Sequence, residues 1–373
     1  MKKLFAVALL SLGFASMAQA ETKLPQWIND VKLSGYVMTQ YQYSDQENAK
    51  ANSFNLRLGR IALEGRIQHD WYWKVQLQFN GNTSTLGNSP RVVDAFTEWQ
   101  KYNFFKVKVG QFKRAFTFEN PMHPIEQGFF SYSQAINKLS YFSDRSGVRA
   151  SNGRDIGVQV QGDFLPNAHK RNLLHYQLGV YNGQGINTKD VDQQKDVIGG
   201  IWVMPVAGMR IGVFGSEGSY ARKGNWTDAS GEHKGEVRKL PQHRYAISGE
   251  YKANDWTFRT EYVHSTGKAF KVSESGSNST SDCTVNEAIG NKADAYYALV
   301  IAPVISKKLY AKARYDLYRL SAEWGSSRTQ YEAGFNYLFN KNVQLNAEYM
   351  RVNDRNQPKP NYNMIDVQLD FRF

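Results

Sequence analysis

Basic side chains recur in this chain at two kinds of position. Some alternate with apolar residues: Arg57 and Arg60 in SFNLRLGRIALEGRI, Lys74 between Trp73 and Val75, and Lys106 and Lys108 between Phe105, Val107 and Val109. Others fall in the aperiodic stretch that follows, at Lys113, Arg114, Lys138, Arg145 and Arg149. Guanidinium forks match oxyanions bidentately, whereas an ammonium acts as a point charge. Ladders of such groups, set where water is scarce, separate ions by the sign of their charge. Asp94 and Glu119 are the acids expected among them. Arg66, Arg244, Arg259, Lys312 and Arg314 share the same parity, as do Glu64, Glu98, Asp155, Glu250, Glu261 and Asp316. Many of these charges are therefore expected in ion pairs that brace a wall.

Strands must position these groups. Ile365, Val367, Leu369, Phe371 and Phe373 alternate with Asp366, Gln368, Asp370 and Arg372, the two-residue period of a strand with one apolar and one polar face. The same pattern recurs along the chain, for example on Trp71, Trp73, Val75 and Leu77, and on Ala295, Tyr297, Leu299 and Ile301. In the second segment Phe54, Leu56 and Leu58 share one parity, then Ile61, Leu63 and Ile67 the other. A β-bulge at Gly59 accounts for the slip and leaves Arg57, Arg60 and Arg66 on one face. About sixteen strands result. Tight turns (near 69, 102, 205–208, 252–255 and 340–342) alternate with long polar connections, among them Glu217 to Gln242 and Ser265 to Asn291. Short turns at one rim and long loops at the other are the asymmetry of an outer-membrane barrel. Trp71, Trp73, Trp99, Tyr102, Phe104 and Trp256 crowd the short-turn end, as an interfacial aromatic girdle does. The expected fold is an all-β, transmembrane antiparallel barrel, with the long connection between Lys113 and Arg154 folded into its lumen. A connection of that length is functional or disordered.

The chain has 373 residues, a mean hydropathy of −0.56 and 14% aromatic residues. It is polar on average yet rich in strand formers, which suits strands that are wet on one side only. MKKLFAVALLSLGFASMAQA has the form of a cleaved secretory leader, so residues 1–20 are expected to be a signal peptide and 21–373 the barrel. The formal charge is +12; without Lys2 and Lys3 it is +10. Export argues against nucleic acid as the partner of that charge, leaving anionic solutes or surfaces. Cys283 is the single cysteine, so neither an internal disulfide nor a cysteine metal cluster is expected, and no cofactor is called for.

Two other readings are open. A barrel hydrolase needs a nucleophile beside a base; the chain holds no G-x-S-x-G or H-E-x-x-H, and its seven histidines are scattered. A structural or adhesive barrel without an open channel would rest on the serine-rich segment near 275–281.

The motifs VKVGQFKRAFTFEN, GRDIGVQVQGDF, YNGQGIN and IDVQLDFRF resemble those of the phosphate-selective porin O/P family. The resemblance implies a sixteen-stranded homotrimeric porin in the outer-membrane lipid of a Gram-negative cell, with loop three turned inward and small anions such as phosphate as solutes. It matches Asp94 to an inward aspartate of the fourth strand and sets Lys138 near an arginine of loop three. The chain departs from the phosphate-specific members where Asn120 follows Phe116-Thr117-Phe118-Glu119 in place of a lysine.

Overall fold

The computed structural model describes residues 27–79, 90–143, 145, 151–271 and 283–373. The leader read in residues 1–20 and the candidate Arg149 lie outside them. Sixteen strands form the wall. The first eight are β1 (Ile28–Ser44), β2 (Ala51–Ile67), β3 (Trp71–Gln78), β4 (Arg91–Tyr102), β5 (Phe105–Lys113), β6 (Arg154–Pro166), β7 (Asn172–Tyr181) and β8 (Asp196–Val203). The second eight are β9 (Met209–Asp228), β10 (Gly231–Ala253), β11 (Trp256–Thr266), β12 (Lys292–Ile305), β13 (Leu309–Arg319), β14 (Ser327–Leu338), β15 (Val343–Asp354) and β16 (Asn361–Arg372). Each pairs antiparallel with its sequence neighbours, and β1 closes on β16 from Tyr36↔Arg372 to Ser44↔Met364. The chain end completes the seam, where Gly35 and Phe373 exchange backbone bonds of 3.1 and 3.0 Å. Closure leaves no strand edge unpaired, which is what a hydrocarbon surrounding demands of a backbone.

Alternation sets the two faces. Phe54, Leu63, Val213, Ile247, Phe335 and Leu369 are exposed outward, while Gln40, Arg60, Glu261, Arg314, Glu348 and Asp366 are buried on the enclosed side. An apolar exterior over a polar interior reverses the arrangement of a water-soluble core, and it matches a barrel in lipid. At the short-turn rim Trp71, Tyr102, Phe104 and Trp256 are exposed, with Tyr102 stacked on Phe104 at 5.4 Å.

The structure corrects the sequence reading in three places. The bulge of β2 falls at Arg57, because Met38 pairs with Leu58 and Thr39 with Leu56; Leu58 consequently packs inward beside Tyr36, Met38 and Ile125. In β12 the inward residues are Ala295, Tyr297 and Leu299, while Tyr296 is exposed. Both faces of that strand are apolar, and the inner one packs against Phe118, Phe129 and Leu139. The segment 217–242 is not a loop: β9 and β10 continue as a ribbon to a turn at residues 229–230. Past the wall a ribbon needs no lipid-facing side, so its alternation disappears while its backbone ladder continues.

Candidate functional site

The segment 114–153 carries a short helix, α1 (Gln134–Leu139), whose N-cap Ser133 accepts a bond from Ile136 N. Carboxylates on the enclosed face take up its backbone donors. Glu261 accepts from Glu119 N at 2.7 Å, Asp316 from Gln134 N at 2.9 Å and Glu348 from Phe130 N at 2.6 Å. In the other direction Lys312 donates to Gly128 O at 3.0 Å and Arg314 to Ser131 O at 3.0 Å. Charged partners make such bonds about twice as strong as neutral ones. Glu119 holds the segment to itself, accepting from the Ser133 hydroxyl at 2.6 Å and Ser133 N at 3.3 Å. At the return to β6, Gly153 has φ +73°, and a Cβ there would meet Asn120 Oδ1 at 2.0 Å. Glycine avoids both the left-handed strain and the clash there.

The segment is thus packed tightly against β11–β15. Toward β1–β7 it leaves a cavity of about 440 Å³. Six basic side chains border this cavity (Arg60, Lys74, Lys108, Lys113, Arg114 and Arg154) against two carboxylates, Asp94 and Glu126. Several are compensated. Lys74 lies 3.2 Å from Glu64, and Lys108 is 3.8 Å from Glu98. Arg154 clasps Asp94 bidentately at 2.6 and 2.9 Å, and Arg114 bonds Asp155. Burial works against the charge of Arg114; Asp155 and Asp196 outweigh it and hold the guanidinium protonated.

Arg60 and Lys113 differ. Arg60 is 3% exposed and donates to Gln78 and to the Tyr36 hydroxyl, each at 3.0 Å, and its Nη2 has no partner among the described residues. Lys113 Nζ donates to Asn120 O at 2.5 Å, Met122 O at 3.0 Å and the Tyr132 hydroxyl at 3.1 Å. Among the described residues neither has a carboxylate within 4.0 Å. Their field is felt at His123, whose pKa is pushed down to about 3 by burial first and then by Arg60 and Lys113. Its ring packs edge-on against Tyr36 at 4.5 Å, and Nδ1 faces Ile125 N at 3.2 Å.

The other expected residues are placed apart. Arg57 donates to Gln368 at 2.6 Å, and Lys106 pairs with Asp163 at 3.5 Å. Arg145 is a tie, donating to the carbonyls of Gly267 at 2.6 Å, Leu320 at 2.9 Å and Lys292 at 3.4 Å. Lys138 is exposed in the last turn of α1. Arg259, Lys312 and Arg314 pair with Glu250, Glu348 and Glu332 on the filled side. Arg154 and His123 were not among the expected residues. Arg154 shares the parity of Ile156 and Val158, which are exposed outward, and only its place at the strand end lets it turn in. His123 had no sequence signal. Among the described residues no three of His, Cys, Asp and Glu form a metal-binding group.

The profile of the Gram-negative porin family matches residues 6–357. This chain belongs to that family. Membership and the closed barrel place it in the outer membrane as a channel former. Among solved structures, the anion-selective porin from Comamonas acidovorans superposes with a TM-score of 0.62 at 14% identity, covering 92% of this chain and 100% of that one. The outer membrane channel DcaP of Acinetobacter baumannii gives 0.60 at 12% identity, covering 94% and 99%. OmpT of Vibrio cholerae in its trimer form gives 0.54 at 15%, covering 92% and 99%. At these identities the likeness is one of fold. No curated protein matches the sequence.

Proposed function

We propose that this porin is a passive, water-filled channel for small hydrophilic solutes that prefers anions, and that segment 114–153 folds into the lumen as its constriction. One observation carries the reading: the cavity left beside the segment is bordered by six basic groups and two acidic ones, and among the described residues no carboxylate lies within 4.0 Å of Arg60 or Lys113. A fixed positive field in a narrow aqueous path favours anions and raises a barrier to cations. In this reading Arg60, Lys74, Lys108, Lys113 and Arg114 form the anion path with Arg154. Arg57, Lys106, Lys138, Arg145 and Arg149 contribute to the wider field, and Asp94 and Glu119 set the positions of Arg154 and of the segment.

Phosphate is one such anion. The likeness of VGQF and GRDIGV to the phosphate-selective porins supports the loop assignment, but Asn120 turns its amide to Arg114 O at 3.1 Å and does not border the cavity. A lysine-based phosphate site is therefore not proposed there. A homotrimer is the expected assembly, in line with the trimer form of the similar Vibrio cholerae outer membrane protein.

Liposome swelling with size-matched solutes tests the reading. Gluconate should enter faster than glucose, and glucose faster than glucosamine. The reverse order would refute anion preference, and no swelling with any of them would favour a closed structural barrel.

A further inference from the structure

A row of aromatic rings stands on the enclosed face, where the alternation of the strands calls for polar groups. Phe96 falls between Asp94 and Glu98, and Tyr72 lies opposite Glu98 in the neighbouring strand. The ring centroids of Tyr72 and Phe96 are 5.9 Å apart, those of Phe96 and Phe112 5.9 Å, and those of Phe112 and Tyr181 5.8 Å. Tyr72, Phe96 and Phe112 border the 440 Å³ cavity, and the first two are only partly buried. Gly110 crosses Phe96 with φ +131°, and a Cβ at 110 would lie 2.3 Å from Ala95 O and 3.0 Å from Phe96 Cβ.

Packing of the inserted segment accounts for Phe112 and Tyr181, which are buried in the cluster that fixes it, but not for Phe96 and Tyr72. The cluster that fixes the segment centres on Phe116, Phe118, Phe129 and Leu139; Phe96 touches only its edge and Tyr72 is outside it. Cations stand beside the rings. Lys108 Nζ is 5.0 Å from the Phe96 centroid and 5.4 Å from that of Phe112, and Arg60 borders the same space with Nη2 unpartnered. An inorganic anion can use the charges but not the rings. A solute that uses both must carry an anionic group on an aromatic ring.

We propose that the channel is specialised for aromatic carboxylates, the aryl ring lying on Tyr72 and Phe96 while the carboxylate turns to Arg60 and Lys108. This assignment rests on the anion-channel reading and narrows its solute class. Ring-on-ring contact strengthens binding beyond area burial by about twofold to tenfold, which a saturated ring of similar size does not gain.

The test uses the full-length protein in planar bilayers, with benzoate, cyclohexanecarboxylate or acetate added to KCl and the block of chloride current recorded. Benzoate should half-block at a concentration about twofold to tenfold below cyclohexanecarboxylate, with acetate weaker than both. Phe96→Leu should bring the benzoate-to-cyclohexanecarboxylate ratio close to one, while Phe335→Leu, on the outer face, should leave it as in the wild type. Equal block by benzoate and cyclohexanecarboxylate, or none by benzoate, overturns the assignment. If Phe96→Leu fails to insert, the wild-type ratio decides alone. The reversal potential from the same bilayers separates the two claims: a cation-side value removes the anion reading itself, whereas an anion-side value with equal block removes only the aromatic assignment.

Discussion

Replacing Arg60 by methionine removes one full charge from the passage and keeps an unbranched stem of similar length. An anion passing about 5 Å from the guanidinium gains about 0.8 kcal/mol at a dielectric near 80. At 0.1 M salt the Debye length is about 10 Å, which leaves about 0.5 kcal/mol. The anion loses a factor of about two when the charge is removed and a cation gains the same, so the permeability ratio should fall about fivefold. At 1 M salt the Debye length of about 3 Å should shrink the change to less than about twofold. Reversal potentials in KCl gradients at the two ionic strengths measure both figures. Lys341→Met, in the exposed turn 339–342, is the control and should change little. An unchanged ratio in Arg60→Met at 0.1 M, or an equal change in Lys341→Met, would show that the Arg60 guanidinium does not set selectivity.

Three further outcomes follow from particular contacts. Gly153→Ala should lower stability by about 1–2 kcal/mol from left-handed strain alone, plus the clash with Asn120 Oδ1; the folded band in unheated gel electrophoresis should convert at lower temperature, and an unchanged conversion temperature would refute the closure. His123 titrates at about 3 in the folded chain and near its ordinary 6.5 when unfolded. The unfolded chain therefore binds the extra proton across that window, and the stability present above 6.5 is lost as pH falls toward 3. His123→Gln should flatten this acid loss, and imidazole NMR should show a neutral ring at pH 5; half-protonation near 6 would contradict the placement. Cys283 is fully buried between the β9–β10 ribbon and the 268–271 segment, so maleimide should label it only after unfolding. Rapid labelling of the native protein would dissolve that packing.

The sequence exposes most of the wall because lipid and water impose opposite demands on successive residues. Ile365 to Phe373 is legible on that ground alone, since every outward residue is apolar and every inward one polar. The reading loses its footing where one of the two solvents is missing. In β12 the inner face meets Phe118, Phe129 and Leu139 instead of water, so Tyr297 and Leu299 face inward among apolar residues and the alternation carries no contrast. In the β9–β10 ribbon lipid is absent, and Lys223, Lys234 and Arg238 follow one another without a greasy stripe. Arg154 escapes because parity assigns it outward. Among the charges, composition revealed a positive excess but not its pairing: Arg314 and Lys312 are consumed by Glu332 and Glu348, and only the folded chain separates them from Arg60 and Lys113.

The central claim is that the aqueous path carries a net positive field. The zero-current potential of the wild-type channel across a KCl gradient reads that field directly. It should fall on the chloride side and move toward zero as the mean salt concentration rises. A potential on the potassium side at low salt would contradict the account.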